Sequence, residues 1–275
     1  MKAQQGRGRG IEGIKMMLCQ STTLEKAQHL KGWEIERKED GTRVLIKDGK
    51  VHNRKGQDVS FKYPELASDL ELLKGYDLDG ELCVLNAQGF SEFTKLLERN
   101  CTDKFKIELR SKSQPCTLIL FDLLGNGEKS FRNEPLGKRQ DGLRDILSPL
   151  PLSNTRFIKK FASIKEGWDY VLANNLEGLI LKRPNSLYEE RRSPSWLKLK
   201  YFKEMECDFD LWEEHPKGIL VKSPDDKLRV NIAGHSGDKA RRHLREAGKV
   251  AIVVQYLSKT KEGKLRFPSF KEFVK

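Results

Sequence analysis

A segment at residues 36–43 (ERKEDGTR) constrains the fold most, because it places an Asp-Gly pair between two apolar runs. Trp33 and Ile35 alternate with polar residues before it, and residues 44–46 (VLI) follow it. An Asp-Gly pair in this setting predicts a tight turn that joins two antiparallel strands. A second pair at residues 48–49 extends the prediction to an antiparallel meander of three strands.

The predicted turn would place Lys38 at the end of a strand, with Glu36, Asp40 and Arg43 within reach. A protonated lysine amine is a poor nucleophile, and metal or cationic neighbours can lower its pKa and free its lone pair. An exposed hairpin with alternating charges has the same sequence. The segment alone therefore leaves both interpretations open.

A strand predicted at residues 76–85 carries an unusual row of acids. Alternation places Asp77, Asp79 and Glu81 on one face and apolar residues on the other. Carboxylates on a buried strand are costly unless bases or a metal ion neutralise them, whereas an edge strand in water tolerates them. Because an apolar run continues the strand, we favour a metal site.

Further apolar segments predict strands at residues 117–124, 177–182 and 195–200. The first is nearly continuous, which indicates burial on both faces. In the last, alternation places Trp196, Lys198 and Lys200 on one face. Two lysines that point the same way repel each other unless an anion lies between them, so this strand indicates a phosphate site. A solvated edge strand is the alternative.

The pattern changes near residue 202, where short predicted strands surround a single basic helix. The helix is predicted at residues 238–247, and its candidate nucleic-acid-binding residues are Lys239, Arg241, Arg242 and Arg245. Short strands with one helix fit a small Greek-key barrel of the OB type. Residues 202–275 therefore predict a second domain.

The charge balance favours a polyanionic partner, because 52 Lys and Arg residues face 40 Asp and Glu residues, a net charge of +12. Nucleic acid is the first candidate and an anionic membrane the second. The spacing of the five cysteines suggests neither a zinc site nor a disulfide framework. Residues 1–10 predict a basic arm without the apolar core of a signal peptide, and no apolar run is long enough to span a bilayer.

Seven short motifs follow one another along the chain. They are KEDGTR at residues 38–43, NRKG at 53–56, DGE at 79–81, FD at 121–122, EG at 177–178, WLKLK at 196–200 and LRFPSF at 265–270. In this order, over residues 14–273, the series resembles the ATP-dependent DNA ligases, which belong to the covalent lysyl-nucleotidyltransferase superfamily. Each motif is weak alone, and the shared order carries the resemblance.

The resemblance implies that Lys38 accepts AMP from ATP, that Glu36 contacts the adenine amine and that Phe121 stacks on the base. The other implied site residues are Arg43 and Arg54 for ribose and phosphate or for the 5′-phosphate of the nick, Lys198 and Lys200 for the α-phosphate, Glu81, Glu177, Asp79 and Asp40 for Mg²⁺ or Mn²⁺, and Arg266 for the pyrophosphate. Nucleotidyl transfer needs charge neutralisation and in-line positioning more than covalent help. Metal ions and lysines supply both.

The resemblance further implies a two-domain α+β enzyme. Residues 1–201 would form a nucleotidyltransferase (adenylation) domain of antiparallel sheets flanked by helices, and residues 202–275 an OB-fold β-barrel. The substrate would be nicked duplex DNA, with RNA-containing nicks as an alternative. The protein would be an intracellular monomer of cellular or viral origin that binds no membrane.

Two positions depart from the family pattern. Asn53 stands where Ser or Thr is usual, and Lys275 ends the chain where the last motif usually continues to an arginine. The second departure bears on the rate of self-adenylylation. Rival interpretations are an mRNA-capping guanylyltransferase, an RNA or mixed-strand ligase, and a non-catalytic nucleic-acid-binding module.

Overall fold

The computed structural model describes residues 15–260 and 262–274. The basic arm predicted at residues 1–10 and the terminal Lys275 lie outside these ranges. The chain divides between Leu199 and Lys200 into two compact units. Among the described residues, no helix is long and apolar enough to cross a membrane.

The strands of the first unit form two five-stranded sheets. They are β1 (Leu18–Thr22), β2 (Glu34–Arg37), β3 (Thr42–Lys47), β4 (Lys50–His52), β5 (Asp77–Val84), β6 (Cys116–Gly125), β7 (Thr155–Phe157), β8 (Lys160–Phe161), β9 (Gly178–Lys182) and β10 (Arg192–Lys200). The strand order is β1-β10-β9-β2-β8 in one sheet and β4-β3-β5-β6-β7 in the other. Both sheets are mixed, because β1 pairs with β10 and β6 with β7 in parallel. The prediction of antiparallel sheets was wrong at these pairs, where long connections allow the parallel direction.

Helices surround the two sheets. They are α1 (Leu24–Ala27), α2 (Ala67–Leu72), α3 (Phe93–Arg99), α4 (Lys104–Ser113), α5 (Leu136–Leu147) and α6 (Ile164–Ala173), with two 3₁₀ turns at Ser60–Lys62 and Pro64–Leu66. Asp103 and Ser163 cap α4 and α6 by accepting backbone N–H groups of their first turns.

The expected hairpin at residues 36–43 does not form. Strand β2 pairs with β8 and β9, whereas β3 pairs with β4 and β5 in the other sheet. The chain crosses between the sheets at Gly41, where an added Cβ would lie 2.3 Å from the carbonyl oxygen of Leu82. Only glycine permits this approach, so the Asp-Gly pair serves close packing between sheets rather than a tight hairpin.

The second Asp-Gly pair does form the predicted hairpin. Asp48 and Gly49 have φ values of 50° and 68°, the left-handed conformation that a two-residue hairpin turn requires. Strand β3 then pairs with β4 in antiparallel register. The sequence thus predicted β3 and β4 correctly as partners but misplaced β2.

Two apolar clusters organise the first unit. One joins the sheets through residues of both, including Leu45, Ile119, Phe121 and Trp196. The other covers the second sheet and packs α2, α3 and α5 against it. Strand β6 is buried at every position, as its continuous apolar run predicted.

The second unit is built from short strands and one long helix. They are β11 (Lys203–Phe209), β12 (Leu211–His215), β13 (Gly218–Lys222), β14 (Arg229–Ala233), α7 (Gly234–Ala247), β15 (Val250–Tyr256), β16 (Ser258–Lys259), β17 (Leu265–Arg266) and β18 (Ser269–Phe273). The sheets run β11-β15-β18, β12-β13-β14 and β16-β17, and the described strands show no closed barrel. Helix α7 begins at Gly234, one turn before the predicted start.

Candidate active site

Lys38 lies in the segment that leaves β2 and crosses between the sheets. Its backbone N–H donates to the carbonyl of Gly178 over 2.9 Å, and its Nζ donates to Oε2 of Glu177 over 2.8 Å. Glu177 immediately precedes β9, the strand that pairs with β2. Sheet pairing therefore brings the predicted nucleophile and a predicted metal ligand into contact.

The electrostatics around Lys38 differ from the expectation. Burial lowers the pKa of Lys38, but Glu177, Glu81 and Asp40 more than offset this effect, and the pKa is raised above its ordinary value. Lys38 is therefore held as the ammonium in this arrangement. Carboxylates rather than cations dominate the surroundings of Lys38 in this arrangement, so a lowering of its pKa by a metal ion stays a prediction.

Glu81 is the second carboxylate beside Lys38. Burial raises the pKa of Glu81 to about 8, with opposing contributions from Lys38 and Arg43 and an added contribution from Glu177. Register places Glu81 opposite Arg43 on β3. A carboxylate that is costly to ionise beside another carboxylate is suited to a divalent cation.

The described residues contain no group of three or more His, Cys, Asp or Glu side chains arranged to hold a metal ion. Mg²⁺ is usually held by one or two carboxylates together with substrate phosphates, rather than by an all-protein cage. Glu81 and Glu177 fit that mode of binding, with Asp40 near Lys38.

Asp79 has a different environment from the other predicted metal ligands. It is fully buried, and Arg43 donates to both of its oxygens, over 2.9 Å from Nε and 2.6 Å from Nη2. The hydroxyl of Tyr188 donates to Oδ2 over 2.6 Å. These contacts show that Asp79 orients Arg43 in this arrangement, and its assignment as a metal ligand stays a prediction.

An aromatic pair lies beside Arg43. Phe121 and Trp196 meet edge to face with ring centroids 6.2 Å apart. The guanidinium of Arg43 lies 5.3 Å from the Phe121 ring and 5.5 Å from the Trp196 ring. Nζ of Lys182 lies 4.2 Å from each ring centroid. The predicted base-stacking residue is therefore flanked by cations.

Glu36 is buried and pairs with Lys182, the lysine that contacts both rings. Its Oε1 accepts from Nε2 of Gln140 over 2.6 Å, and its Oε2 lies 2.7 Å from Nζ of Lys182. Neither partner was predicted. Lys182 had a signal, a charge ending the apolar run at residues 178–182. Gln140 had none, because a polar residue on an amphipathic helix is unremarkable.

The charges of four cations act on the thiol of Cys19. Burial raises the pKa of Cys19, while Arg43, Lys182, Lys38 and Lys198 lower it. Lys198 therefore lies in the same electrostatic environment as Lys38 and Arg43, and its role toward the α-phosphate stays a prediction. Cys19 was not predicted, and its position in β1, beside β10, explains its presence.

The remaining predicted nucleotide ligands are Arg54, Lys200 and Arg266. Arg54 is exposed in the turn after β4. Lys200 and Arg266 belong to the second unit, where the Lys200 ammonium lies 5.2 Å from the Phe267 ring and Arg266 donates to Oγ of Ser258 over 3.3 Å. Their roles toward the nucleotide stay predictions from the motifs.

The basic residues of the predicted nucleic-acid-binding helix differ in how far nearby acids compensate their charge. Arg241 is held by Glu214 at 3.0 Å and by Asp238 at 2.7 Å, so its charge is compensated. Lys239, Arg242 and Arg245 are exposed on the same helix. The last three are thus better placed than Arg241 to meet phosphates.

The two mixed sheets, with a lysine and carboxylates at their junction, define a mixed α/β fold of the nucleotidyltransferase-like ligase type. Solved structures with a similar fold include the mycobacterial DNA ligase D complexed with ATP and MES, with a TM-score of 0.60 and 22% identity over 94% of both chains. A Lig E DNA ligase has a TM-score of 0.69 and 18% identity, covering 95% of this chain and 100% of that one. These likenesses concern the fold.

The sequence comparisons identify the family. Residues 16–200 match the model of the ATP dependent DNA ligase domain. The SPbeta prophage-derived DNA ligase-like protein LigB of Bacillus subtilis is 26% identical over 86% of this chain and 91% of its own. The multifunctional non-homologous end joining protein LigD of Pseudomonas aeruginosa is 31% identical over 74% of this chain, which spans 25% of that protein. The chain belongs to the ATP-dependent DNA ligase family, which confirms the resemblance of its motifs.

Proposed function

We propose that this chain seals nicks in duplex DNA that carry a 3′-hydroxyl and a 5′-phosphate. Three transfers would follow. The Lys38 amine attacks the α-phosphorus of ATP, a P–N bond forms, and pyrophosphate leaves. The 5′-phosphate of the nick then takes the AMP and releases the lysine. Finally, the 3′-hydroxyl attacks that phosphate, the phosphodiester forms, and AMP leaves.

The observation that carries this proposal is the position of Lys38 among Glu177, Glu81 and the cations of the site. Glu177 holds the ammonium in place through its 2.8 Å contact. Arg43 and Lys198 would neutralise phosphate oxygens as negative charge develops on them. The lysine must lose its proton before it attacks, and neutralising its two carboxylate neighbours favours that loss.

A divalent cation fits this site. Glu81 and Glu177 would hold it, and Asp40 would add to the negative potential that attracts it. When bound, such an ion supplies charge neutralisation on the phosphate oxygens. Mg²⁺ and Mn²⁺ both suit carboxylate ligands.

The division of labour between domains is also part of the proposal. Residues 1–201 would be the adenylation domain and residues 202–275 an OB-fold domain. The exposed cations of α7 would bind the phosphates of nicked duplex DNA, and the protein would act as a monomer. Arg266 would orient the pyrophosphate leaving group.

Covalent labelling of the protein by α-labelled nucleotides tests the proposed function. The protein is incubated with Mg²⁺ and each α-labelled nucleoside triphosphate, and the label retained after denaturation is measured. We expect label from ATP in the wild type and none in Lys38→Ala, because Lys38 is the proposed acceptor of AMP. Lys50→Ala, which removes a lysine with 59% side-chain exposure, serves as the control and should label normally. Label from GTP instead of ATP, or undiminished label in Lys38→Ala, contradicts the proposal.

A further inference from the structure

A continuous chain of polar contacts runs from the surface to the aromatic pair of the site. Nζ of Lys160 donates to Oε2 of Glu34 over 2.6 Å and to Oε1 of Gln140 over 2.6 Å. Gln140 donates to Glu36 over 2.6 Å, and Glu36 pairs with Lys182 over 2.7 Å. We name these five residues the Glu34–Lys182 relay.

Three strands and one helix build the relay. Glu34 and Glu36 are two residues apart on β2, so they share a face of that strand. Register places Lys160 of β8 opposite Glu36 and Lys182 of β9 opposite Glu34. The two flanking strands thus supply the lysines, and α5 supplies Gln140 between them. Exposure falls from 32% for Glu34 to 1% for Lys182.

The contacts of Gln140 fix the direction of its amide. Nε2 donates one hydrogen to Glu36 and the other to the backbone carbonyl of Phe121, over 2.9 Å. Oε1 accepts from Lys160, which can only donate. A flipped amide would place an N–H group against the ammonium and an oxygen against the carboxylate. Lys160 therefore locks the orientation in which Gln140 is a donor to Glu36.

Gln140 and Lys182 hold the two carboxylate oxygens of Glu36 from different sides. Without Gln140, only the ion pair with Lys182 would direct this buried group, which is 2% exposed. The same amide ties Glu36 to the backbone of Phe121. The position of the carboxylate is thereby coupled to the position of the ring.

We infer that Gln140, locked by Lys160, is a positioning residue that sets purine selection at this site. The inference rests on the proposed function and on the motif resemblance, which implies that the adenine of ATP stacks on Phe121 and that Glu36 contacts its amine. The carboxylate of Glu36, held on both oxygens, can still accept hydrogen bonds but cannot donate one. It therefore favours a base with an amine at position 6 and disfavours one with an oxygen there. Gln140 acts through Glu36 and does not itself touch the base.

The test uses the full chain and two nucleotides that differ only at position 6. These are ATP and purine riboside triphosphate, which lacks the amine, and kcat/KM for lysine labelling is measured with each. Gln140→Met has a similar volume but no donor. We expect its kcat/KM for ATP to fall about tenfold, the order of one lost hydrogen bond to a charged group. The value for purine riboside triphosphate should change by less than about twofold, since no amine is recognised.

A second variant tests the inference independently, in case Gln140→Met does not fold. Lys160→Met removes the lock at a position with 19% side-chain exposure, and we expect the same selective loss for ATP at a smaller size. Lys165→Met is the matched control, because its lysine is 85% exposed and pairs with Asp169 on the surface. Equal losses for both nucleotides in the folded variants, or no loss in either, overturn the inference. A wild type that takes label from no nucleotide instead refutes the proposed function.

Discussion

Nζ of Lys38 and Oε2 of Glu177 lie 2.8 Å apart although 139 residues separate them in the chain. The pairing of β2 with β9 creates this contact, because Lys38 follows the first strand and Glu177 precedes the second. In antiparallel strands, the end of one lies beside the start of the other. The site is therefore fixed by a sheet rather than by a flexible loop.

The first prediction concerns the two carboxylates at Lys38. Glu81→Gln and Glu177→Gln should each slow lysine labelling by ATP and Mg²⁺ about 100-fold or more, the usual cost of removing charge stabilisation at a phosphoryl-transfer site. Thermal unfolding without metal should show both variants folded. Glu71→Gln, at a side chain with 74% exposure, is the control and should label normally. Wild-type rates in both site variants would rule out a metal role.

The second prediction concerns the crossing between the sheets. Gly41→Ala should lower the free energy of unfolding by about 1–3 kcal/mol, because its Cβ would overlap the backbone of β5. The added carbon would lie 2.3 Å from the Leu82 carbonyl oxygen and 2.7 Å from Cγ of Glu81. The shift should also displace Lys38 and reduce labelling. Denaturant unfolding and labelling measure the two effects.

Gly137→Ala is the matched control for this substitution. A Cβ there would lie 3.8 Å from the carbonyl oxygen of Pro184, which is an ordinary contact. Since Gly137 lies in α5, alanine should stabilise that helix by up to about 1 kcal/mol. A Gly41→Ala variant as stable and active as the wild type would show that the crossing can relax.

The sequence predicted much of the fold because many elements carry local signals. The β3–β4 hairpin followed from Asp48-Gly49, and the buried strand β6 followed from its apolar run. No local sequence signal predicted the strands that pair with β2. Its pairing with β8 and β9 is decided by contacts far along the chain, and the Asp-Gly pair at residues 40–41 satisfies a packing requirement that only the second sheet reveals.

For the candidate site, the sequence predicted which residues take part but not the surroundings of each residue. Motif order predicted Lys38, Glu81, Glu177, Arg43 and Lys198, which the fold brings together. The environment of each group was less accessible to sequence reasoning. Asp79 was expected to bind metal because it alternates with Glu81, but a pattern of two residues cannot show that Arg43 already occupies its oxygens.

The third prediction concerns DNA binding by α7. Arg242→Ala should weaken binding to a nicked duplex and lower the slope of log K against log salt by about 1, the expected loss of one phosphate contact. Arg241→Ala should leave the slope nearly unchanged, because Glu214 and Asp238 already compensate that charge. Salt titrations of both variants against the wild type measure the difference. Equal slopes for Arg242→Ala and the wild type would remove α7 from the DNA interface.

The last prediction separates positioning from metal binding at Asp79. Asp79→Asn keeps the side-chain volume but replaces one of the two acceptor oxygens that hold Arg43 with an N–H donor. We expect labelling by ATP to slow about 100-fold, the order of cost of a misplaced group at a reacting centre. The Mg²⁺ concentration that gives half-maximal rate should match the wild type, because Asp79 holds Arg43 and no metal.

Glu177→Gln provides the comparison for this measurement, since a lost ligand raises the Mg²⁺ concentration that is required. Tyr188→Phe provides a milder variant that removes one donor to Asp79 and leaves both contacts of Arg43. It should slow labelling by less than Asp79→Asn, again without a change in metal requirement. If excess Mg²⁺ restores the rate of Asp79→Asn, Asp79 is a metal ligand after all and the ion pair with Arg43 gives way when the metal binds.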